Sequence, residues 1–244
     1  MNLAARKWRD DQGRTLLESA PLISMLALDD ARKPRPISWM EQRKLVPLLP
    51  AHLQPMVLFN LNTGVRDDVV CNLRWEWEIF IKELGCSVFI VPPRYVKGRK
   101  GWRPLVCNLI AQSIIDGQRG KHPEFVFVYQ RSEKHEPHAI ETMNNNGWQA
   151  ARRAVGLSDV RVHDLRHTVG MRLREAGIRE ETIAAILWHS RGTMTAHYSA
   201  AQVRELLDAL NSIADESNRT NANLEMLFRE KAESLQSPFT IKKD

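Results

Sequence analysis

The 244-residue chain lacks most of the features that assign a protein to a broad class by composition alone. It contains no run of about eighteen apolar residues, which excludes a helix that spans a membrane. Residues 1–14 have no apolar core of the kind found in signal peptides, so we expect a cytoplasmic protein. The three cysteines, Cys71, Cys86 and Cys107, are odd in number and widely spaced, which argues against a disulfide framework and a CxxC zinc pattern.

The excess of charge of one sign is also small. There are 35 lysines and arginines against 29 aspartates and glutamates, which gives a formal net charge of +6. Hydrophobic residues make up 43% and charged residues 26% of the chain, values typical of a soluble globular protein. The positive excess favours a polyanionic partner only weakly, so individual motifs must indicate the function.

Local composition divides the chain into three regions. Residues 1–35 mix charges with one short apolar stretch and end in a basic linker that contains prolines, which predicts a tail or a remnant. Residues 36–216 carry the regular apolar patterns of one folded domain. Residues 217–244 are predicted to form a C-terminal tail with one amphipathic segment, 223–235.

The folded region is predicted to be α+β, mainly α-helical with a small three-stranded antiparallel sheet. Ser38 and Glu41 have the spacing of a capping box, which predicts a helix from Trp39, and Gly64 is a natural end for an apolar helix over 55–62. Further helices are predicted over 67–73, 109–116, 141–155, 164–176, 180–188 and 200–215, with Gly156 and Gly177 as caps. Strands are predicted over 75–81, 87–91 and 102–106, and the basic segment 92–101 is predicted to be an exposed turn.

The densest cluster of functional side chains is the segment 162–168, Val-His-Asp-Leu-Arg-His-Thr. On a helix, His163, Arg166 and His167 project from one face. A solvated basic face with a buried histidine is one interpretation of this pattern. A zinc site is another, since histidines at i and i+4 can chelate, but the fixed positive charge of Arg166 between them opposes a metal ion.

Other segments complete a recognisable pattern. Arg66 directly follows Thr-Gly-Val at the end of a predicted helix, and His189 lies 23 residues after Arg166 and nine residues before Tyr198. In this order and spacing, the residues over about 36–216 resemble the tyrosine recombinase (phage integrase) family. The resemblance implies that family's catalytic-domain fold. It also implies a site-specific recombinase or integrase that cleaves and rejoins double-stranded DNA through a covalent 3′-phosphotyrosine.

The resemblance assigns a role to each residue of the pattern. Tyr198 is the expected nucleophile, and Arg66 and Arg166 are expected to bind the scissile phosphate. His163 is expected to act as general base or phosphate ligand, and His189 as a hydrogen-bond donor to the same phosphate. Lys97, in the turn between the second and third strands, matches the family's general acid, with Lys100 as its rival. Additional DNA contacts are expected from Arg94, Arg99, Lys100, Arg103 and His167.

The chemistry of these residue types agrees with the roles. Two guanidinium groups can bind phosphate oxygens in pairs and stabilise a five-coordinate transition state. A free phenol has a pKa of about 10, so tyrosine needs nearby cations to become a good nucleophile. No cofactor and no metal ion are expected. Tyr95 and Tyr129 lack the His-x8-Tyr context and are poorer candidates.

Three departures from the family pattern bear on the site. The family usually carries an acidic residue where this chain has Val69, and Asp68, one position earlier, is expected to point elsewhere on the helix. The family commonly has glycine where Trp188 stands, so Trp188 is expected to fill space beside the site. Only about 35 residues precede the catalytic region, too few for the family's N-terminal DNA-binding domain, which predicts a catalytic fragment or a shortened member.

The resemblance also implies partners. Double-stranded DNA with an attachment or recombination site, bound by a homotetramer, is the expected assembly. The tail is expected to dock either on its own domain or on a neighbouring protomer, through Leu224, Leu227, Phe228 and Leu235. Two alternatives stay open: a DNA-binding module or regulator of the same fold with impaired catalysis, and an unrelated helical regulator whose 162–168 helix contacts DNA.

Overall fold

The computed structural model describes residues 2–19, 33–98, 101–189, 203–217, 227–228 and 231. It divides into two compact units, Met1–Lys33 and Pro34–Asp244. In the first unit, helix α1 (Asn2–Arg6) precedes a short antiparallel bridge between Arg9 and Thr15. The Asp10 carboxylate closes this turn, because it accepts hydrogen bonds from the backbone N–H of Gln12 at 3.0 Å and of Arg14 at 2.8 Å.

The first helices of the second unit match the prediction in part: α3 begins two residues before the predicted start at residue 55, and α4 ends two residues before the predicted end at residue 73. Helix α2 (Trp39–Leu45) starts with the expected capping box, in which Ser38 Oγ accepts from Glu41 N–H and the Glu41 carboxylate accepts from Ser38 N–H. Helix α3 (Leu53–Thr63) ends at Gly64, whose φ of 66° lies in the left-handed region that glycine favours. Helix α4 (Asp67–Cys71) follows directly.

The predicted three-stranded antiparallel sheet is confirmed, in the order β1-β2-β3. Its strands are β1 (Glu78–Ile81), β2 (Cys86–Val91) and β3 (Arg103–Val106). The predicted strand start at Trp75 is wrong, because Trp75–Trp77 forms a 3₁₀ turn. The Trp75 N–H donates to Glu124 O at 3.0 Å, so this residue pairs with a later segment of the chain.

The remaining described helices are α5 (Leu109–Asp116), α6 (Asn146–Ala154), α7 (Val162–Glu175), α8 (Glu180–Ile186) and α9 (Val203–Asn211). The start predicted for α6 at residue 141 is wrong. The Asn145 side chain accepts from the N–H groups of Gly147 and Trp148, which sets the start of α6. Thr142 and Met143 instead donate to the Asp67 carboxylate and tie this loop to α4. The start predicted for α9 at residue 200 and most of the 223–235 segment lie outside the described residues.

Most residues of helix α7 are buried, and residues 35–37, at the start of the second unit, form hydrogen bonds to its side chains. Arg35 N–H donates to Asp164 Oδ1 at 3.1 Å, and Ile37 N–H donates to Thr168 Oγ1 at 2.9 Å. The other carboxylate oxygen of Asp164 accepts from Arg161 N–H at 2.8 Å. One buried carboxylate therefore fixes both the incoming chain and the first turn of α7. None of the described helices is both long and apolar enough to cross a membrane.

Replacing Asp164 with alanine is expected to lower the free energy of unfolding by about 2–4 kcal/mol, because two backbone donors lose their acceptor. Urea unfolding measures this loss. The control is Asp159→Ala, which removes the ion pair between Asp159 and Arg35. Because the Asp159 side chain is 58% exposed, this variant should lower the free energy of unfolding by about 1 kcal/mol or less. Equal unfolding midpoints for the two variants would contradict the role assigned to Asp164.

Candidate active site

Helix α7 presents the side chains of the predicted histidine–arginine motif. The rings of His163 and His167 meet edge to face, with centroids 4.8 Å apart and planes inclined at 86°. His163 is exposed to solvent, His167 is half-buried, and Arg166 is 4% exposed. One stripe of α7 therefore combines a buried guanidinium with two imidazoles that solvent can reach.

Two backbone carbonyls hold Arg166. Its Nη1 donates to Gly64 O at 2.7 Å, and its Nη2 donates to Leu187 O. These carbonyls lie at the end of α3 and in the turn after α8, two residues before Arg66 and two residues before His189. Arg166 thus connects the three segments that carry the arginines and the histidines of the site.

Arg66 forms the second cationic group. It occupies the N-cap position of α4, two residues after Gly64. Its Nη1 is buried, and among the described residues no hydrogen-bond acceptor reaches it. The positive charge of Arg66 contributes to lowering the pKa of Arg166, His163 and His189, so the four side chains lie within electrostatic range of one another.

The surroundings favour neutral histidines and a charged arginine. Partial burial, and after it the charges of His167 and Arg166, lower the pKa of His163 below its usual 6.5. Partial burial, and then Arg166 and Arg66, lower the pKa of His189 in the same way. Burial and Arg66 lower the pKa of Arg166 to about 9, so its guanidinium stays protonated at pH 7. The site is therefore positive because of its arginines, while the neutral form of both imidazoles is favoured.

Val69, which stands where the family usually carries an acidic residue, places no carboxylate beside Arg66. Val69 is fully buried in the hydrophobic core, and Asp68 is exposed. Partial burial raises the pKa of Asp68, while Arg66 lowers it, so the two charges interact. In the part of the chain that the structure describes, no carboxylate forms an ion pair with Arg66. The guanidinium consequently keeps a buried donor available for another acceptor.

The hairpin between β2 and β3 carries the other predicted basic residues. Lys97 lies in this turn, as predicted, and is exposed, as is Arg94, whose guanidinium covers the Tyr95 ring at 4.7 Å. Arg103 opens β3, and its Nε is buried without a hydrogen-bond partner among the described residues. Arg99 and Lys100 lie outside the described residues.

Tyr198 also lies outside the described residues, between His189 and α9. The helix that follows it is fixed to the domain, because Asn108 Nδ2 donates to Leu210 O at 2.9 Å and Leu109 N–H donates to Asn211 Oδ1 at 3.0 Å. Within the described region, the other two tyrosines make different aromatic contacts. Tyr95 packs against Trp77, and Tyr129 packs against His52 and His138.

Sequence reasoning missed the groups that position Arg166. The acceptors are the backbone carbonyls of Gly64 and Leu187, and residue types in a sequence do not indicate which backbone carbonyl accepts a hydrogen bond. The only signal was the predicted helix end at Gly64. A Cβ added there would come 2.7 Å from Leu187 Cδ2 and 2.9 Å from Val169 Cγ1. Glycine is therefore required both by its φ and by the close packing of α3 against α7 and the turn after α8.

Comparison with known proteins identifies the family. Residues 43–205 match the phage integrase family. The integrase of Salmonella phage P22 is 28% identical over 188 residues, which cover 73% of this chain and 45% of that protein. The chain therefore spans less than half the length of this curated relative.

Solved structures of recombinases share the fold. XerH recombinase bound to a palindromic difH substrate matches 97% of this chain and 64% of its own, with a TM-score of 0.53 and 13% identity. XerA recombinase matches 86% of this chain and 66% of its own, with a TM-score of 0.51 and 16% identity. At these identities the likeness establishes the fold, which is that of the tyrosine recombinases. Because the family profile spans most of the chain, the protein belongs to the phage integrase family of tyrosine recombinases.

Proposed function

We propose that the protein is a site-specific DNA recombinase that cleaves and rejoins DNA through a covalent phosphotyrosine. The observation that carries this proposal is the convergence of Arg66 and Arg166 with two histidines of lowered pKa. Arg66 contributes a buried Nη1 for which the described residues provide no acceptor. Buried donors without partners call for an explanation, and a phosphate oxygen supplies one.

In the proposed reaction, the Tyr198 oxygen attacks the phosphorus and the bond from phosphorus to the 5′-oxygen breaks. The DNA 3′-phosphate is then joined to Tyr198, and a free 5′-hydroxyl leaves. Neutral His163 accepts the phenol proton, the two arginines and His189 donate to the non-bridging oxygens, and Lys97 protonates the 5′-oxygen. Reversal of these steps with another 5′-hydroxyl rejoins the DNA.

The relatives support DNA as the substrate, and we propose a homotetramer on DNA as the working assembly. One structural neighbour is described as a XerH recombinase in a post-cleavage complex with its difH substrate. The P22 relative is called an integrase. Arg94, Arg99, Lys100, Arg103 and His167 are proposed to contact the DNA backbone or the scissile phosphate. Binding through these cations should weaken as the salt concentration rises, with a slope that increases with the number of phosphates they contact.

A suicide substrate tests the proposal. The DNA duplex carries a candidate recombination sequence, with sulfur in place of the scissile 5′-oxygen, so that the released thiol rejoins poorly. We expect a protein–DNA adduct that survives denaturation and that mass spectrometry places on the peptide containing Tyr198. Tight DNA binding without an adduct would favour the alternative, a DNA-binding module with impaired catalysis. The burial of Val69 beside Arg66 is the observation that favours that alternative.

The assignment of Lys97 as general acid predicts a selective rescue. Alanine at Lys97 should slow cleavage of normal DNA about 10²–10⁴-fold, because an alkoxide leaves poorly without a proton. The sulfur substrate should restore cleavage to within about threefold of wild type, since a thiol with a pKa of about 8.5 leaves as the thiolate. Measured single-turnover rates on both substrates check this. If Lys100→Ala shows the rescue and Lys97→Ala does not, the acid is Lys100.

The lowered pKa of His163 predicts the pH dependence of cleavage. Above that pKa the imidazole is neutral and can accept the phenol proton, and below it the imidazole is charged and cannot. On the sulfur substrate, the rate should therefore be level near pH 7–8 and fall through an inflection below 6.5. His189→Gln should keep this acidic limb, whereas His163→Gln should lower the plateau and remove the limb. An inflection above 6.5 in the wild type would contradict the assignment.

A further inference from the structure

Trp188 has a backbone conformation that is rare for its residue type. Its φ is 52°, and it is the only non-glycine residue with positive φ in the described part of the chain. A bulky residue in the left-handed region costs about 1–2 kcal/mol. Such strain persists where the surrounding structure fixes it, and it concentrates at functional sites.

The surroundings of Trp188 fix this turn from both sides. Leu187 O accepts from the Arg166 guanidinium, and the Leu187 side chain lies where Gly64 and Gly170 leave room for it. On the other side, His189 N–H donates to Ala184 O at 2.9 Å. The left-handed residue thus stands between a carbonyl that holds the catalytic arginine and a histidine of the site.

The indole of Trp188 connects this turn to two other parts of the site. It is 7% exposed, and its Nε1–H donates to Pro104 O in β3 at 2.9 Å. β3 is the strand that leaves the Lys97 hairpin. The crevice beside the indole is also lined by Val65, the residue before Arg66. A single side chain therefore contacts the strand after the lysine and borders the loop before the first arginine.

We propose that Trp188 is a positioning residue that fixes His189 relative to Arg166 and to the β2–β3 hairpin. The role rests on the proposed function, since it concerns the same site. The left-handed turn sets the direction of His189, and the hydrogen bond to Pro104 sets the distance between this turn and β3. Glycine at this position would permit the turn but could not make the connection to β3.

Two substitutions separate the backbone from the indole. Trp188→Gly permits the same φ without strain and removes the ring, while Trp188→Phe keeps an aromatic ring and removes only the N–H donor. The matched control is Trp148→Phe. Trp148 is fully buried in the same hydrophobic core, and its Nε1 has no hydrogen-bond partner among the described residues.

The first measurement is an NMR titration of the His189 C2 proton in the full chain, assigned with His189→Gln. In the wild type, burial, Arg166, Arg66 and His167 lower this pKa, and Glu180 opposes them. We expect both Trp188 variants to shift the pKa toward 6.5, because the ring moves away from the arginines, and Trp148→Phe to leave it in place. An unchanged pKa in both Trp188 variants would overturn the proposal, and this result is independent of whether the protein cleaves DNA.

The second measurement is the single-turnover rate on the sulfur substrate. Displacement of a reacting group by about 1 Å costs about 100-fold in rate. We therefore expect a loss of about 100-fold for Trp188→Gly and about 10-fold for Trp188→Phe, with DNA binding unchanged and Trp148→Phe within about threefold of wild type. If Trp188→Gly cleaves at the wild-type rate, the left-handed backbone alone suffices and the indole has no positioning role. If Trp188→Gly does not fold, Trp188→Phe decides by the same two readouts.

Discussion

Phenylalanine at Tyr198 is expected to abolish the covalent protein–DNA adduct. The substitution removes the oxygen that we propose attacks phosphorus and leaves the ring, so the rate should fall by at least about 10⁴-fold, as for other enzymes that lose their nucleophile. DNA binding should stay within about threefold of wild type, because one hydroxyl adds little to an affinity dominated by phosphate contacts. A denaturing gel with the sulfur substrate measures the adduct, and a mobility shift measures binding.

The chain offers a complete set of controls for this experiment. It contains three tyrosines in total, so Tyr95→Phe and Tyr129→Phe test every other phenol. In the structure Tyr95 packs against Trp77 and Tyr129 packs against two histidines, contacts that the loss of a hydroxyl leaves in place. Both variants should form the adduct. An adduct that persists in Tyr198→Phe and disappears in one of the others would reassign the nucleophile.

Local signals in the sequence predicted the helix boundaries best where one residue determines them. The Ser38–Glu41 capping box and the left-handed Gly64 are both found as predicted. The prediction at Trp75 was wrong because a partner distant in sequence determines the local structure there. The alternating residues from Trp75 indicate a strand, but the Trp75 N–H donates to the carbonyl of Glu124, 49 residues later in the chain. The residues around position 75 do not indicate this distant partner. The start predicted for α6 missed Asn145, a cap hidden in a run of three asparagines.

In the candidate site, the sequence predicted side chains but not the backbone groups that hold them. Helical periodicity predicted that His163, Arg166 and His167 share one face of a helix. Arg66 and His189 were assigned by resemblance to the family. Neither carbonyl that holds Arg166 was predictable, since every residue carries one. The sequence marked Trp188 as unusual only by comparison with the family. Its left-handed φ and its bond to Pro104 depend on β3, which lies 84 residues earlier in the chain.

Lysine at Arg166 is expected to reduce cleavage by at least about 10³-fold while non-specific DNA binding stays within about threefold of wild type. Arg166 donates to the carbonyls of Gly64 and Leu187 and still has N–H groups for a phosphate. Lysine keeps the charge but has three donors on one atom, so it cannot serve two fixed carbonyls and bind a phosphate in the same geometry. Single-turnover cleavage and mobility shifts at one salt concentration measure the two effects.

The control for lost stability is Arg172→Lys on the same helix. Arg172 is 3% exposed, and its guanidinium lies 3.5 Å from the centroid of the Trp39 ring, so this variant also disturbs a buried arginine. Thermal unfolding of both variants shows whether their stabilities fall together, and only Arg166→Lys should lose cleavage beyond that fall. If Arg166→Lys instead loses DNA binding in proportion to cleavage, α7 binds DNA as a regulator's helix would. Binding that survives while cleavage is lost places the function of Arg166 in the transition state.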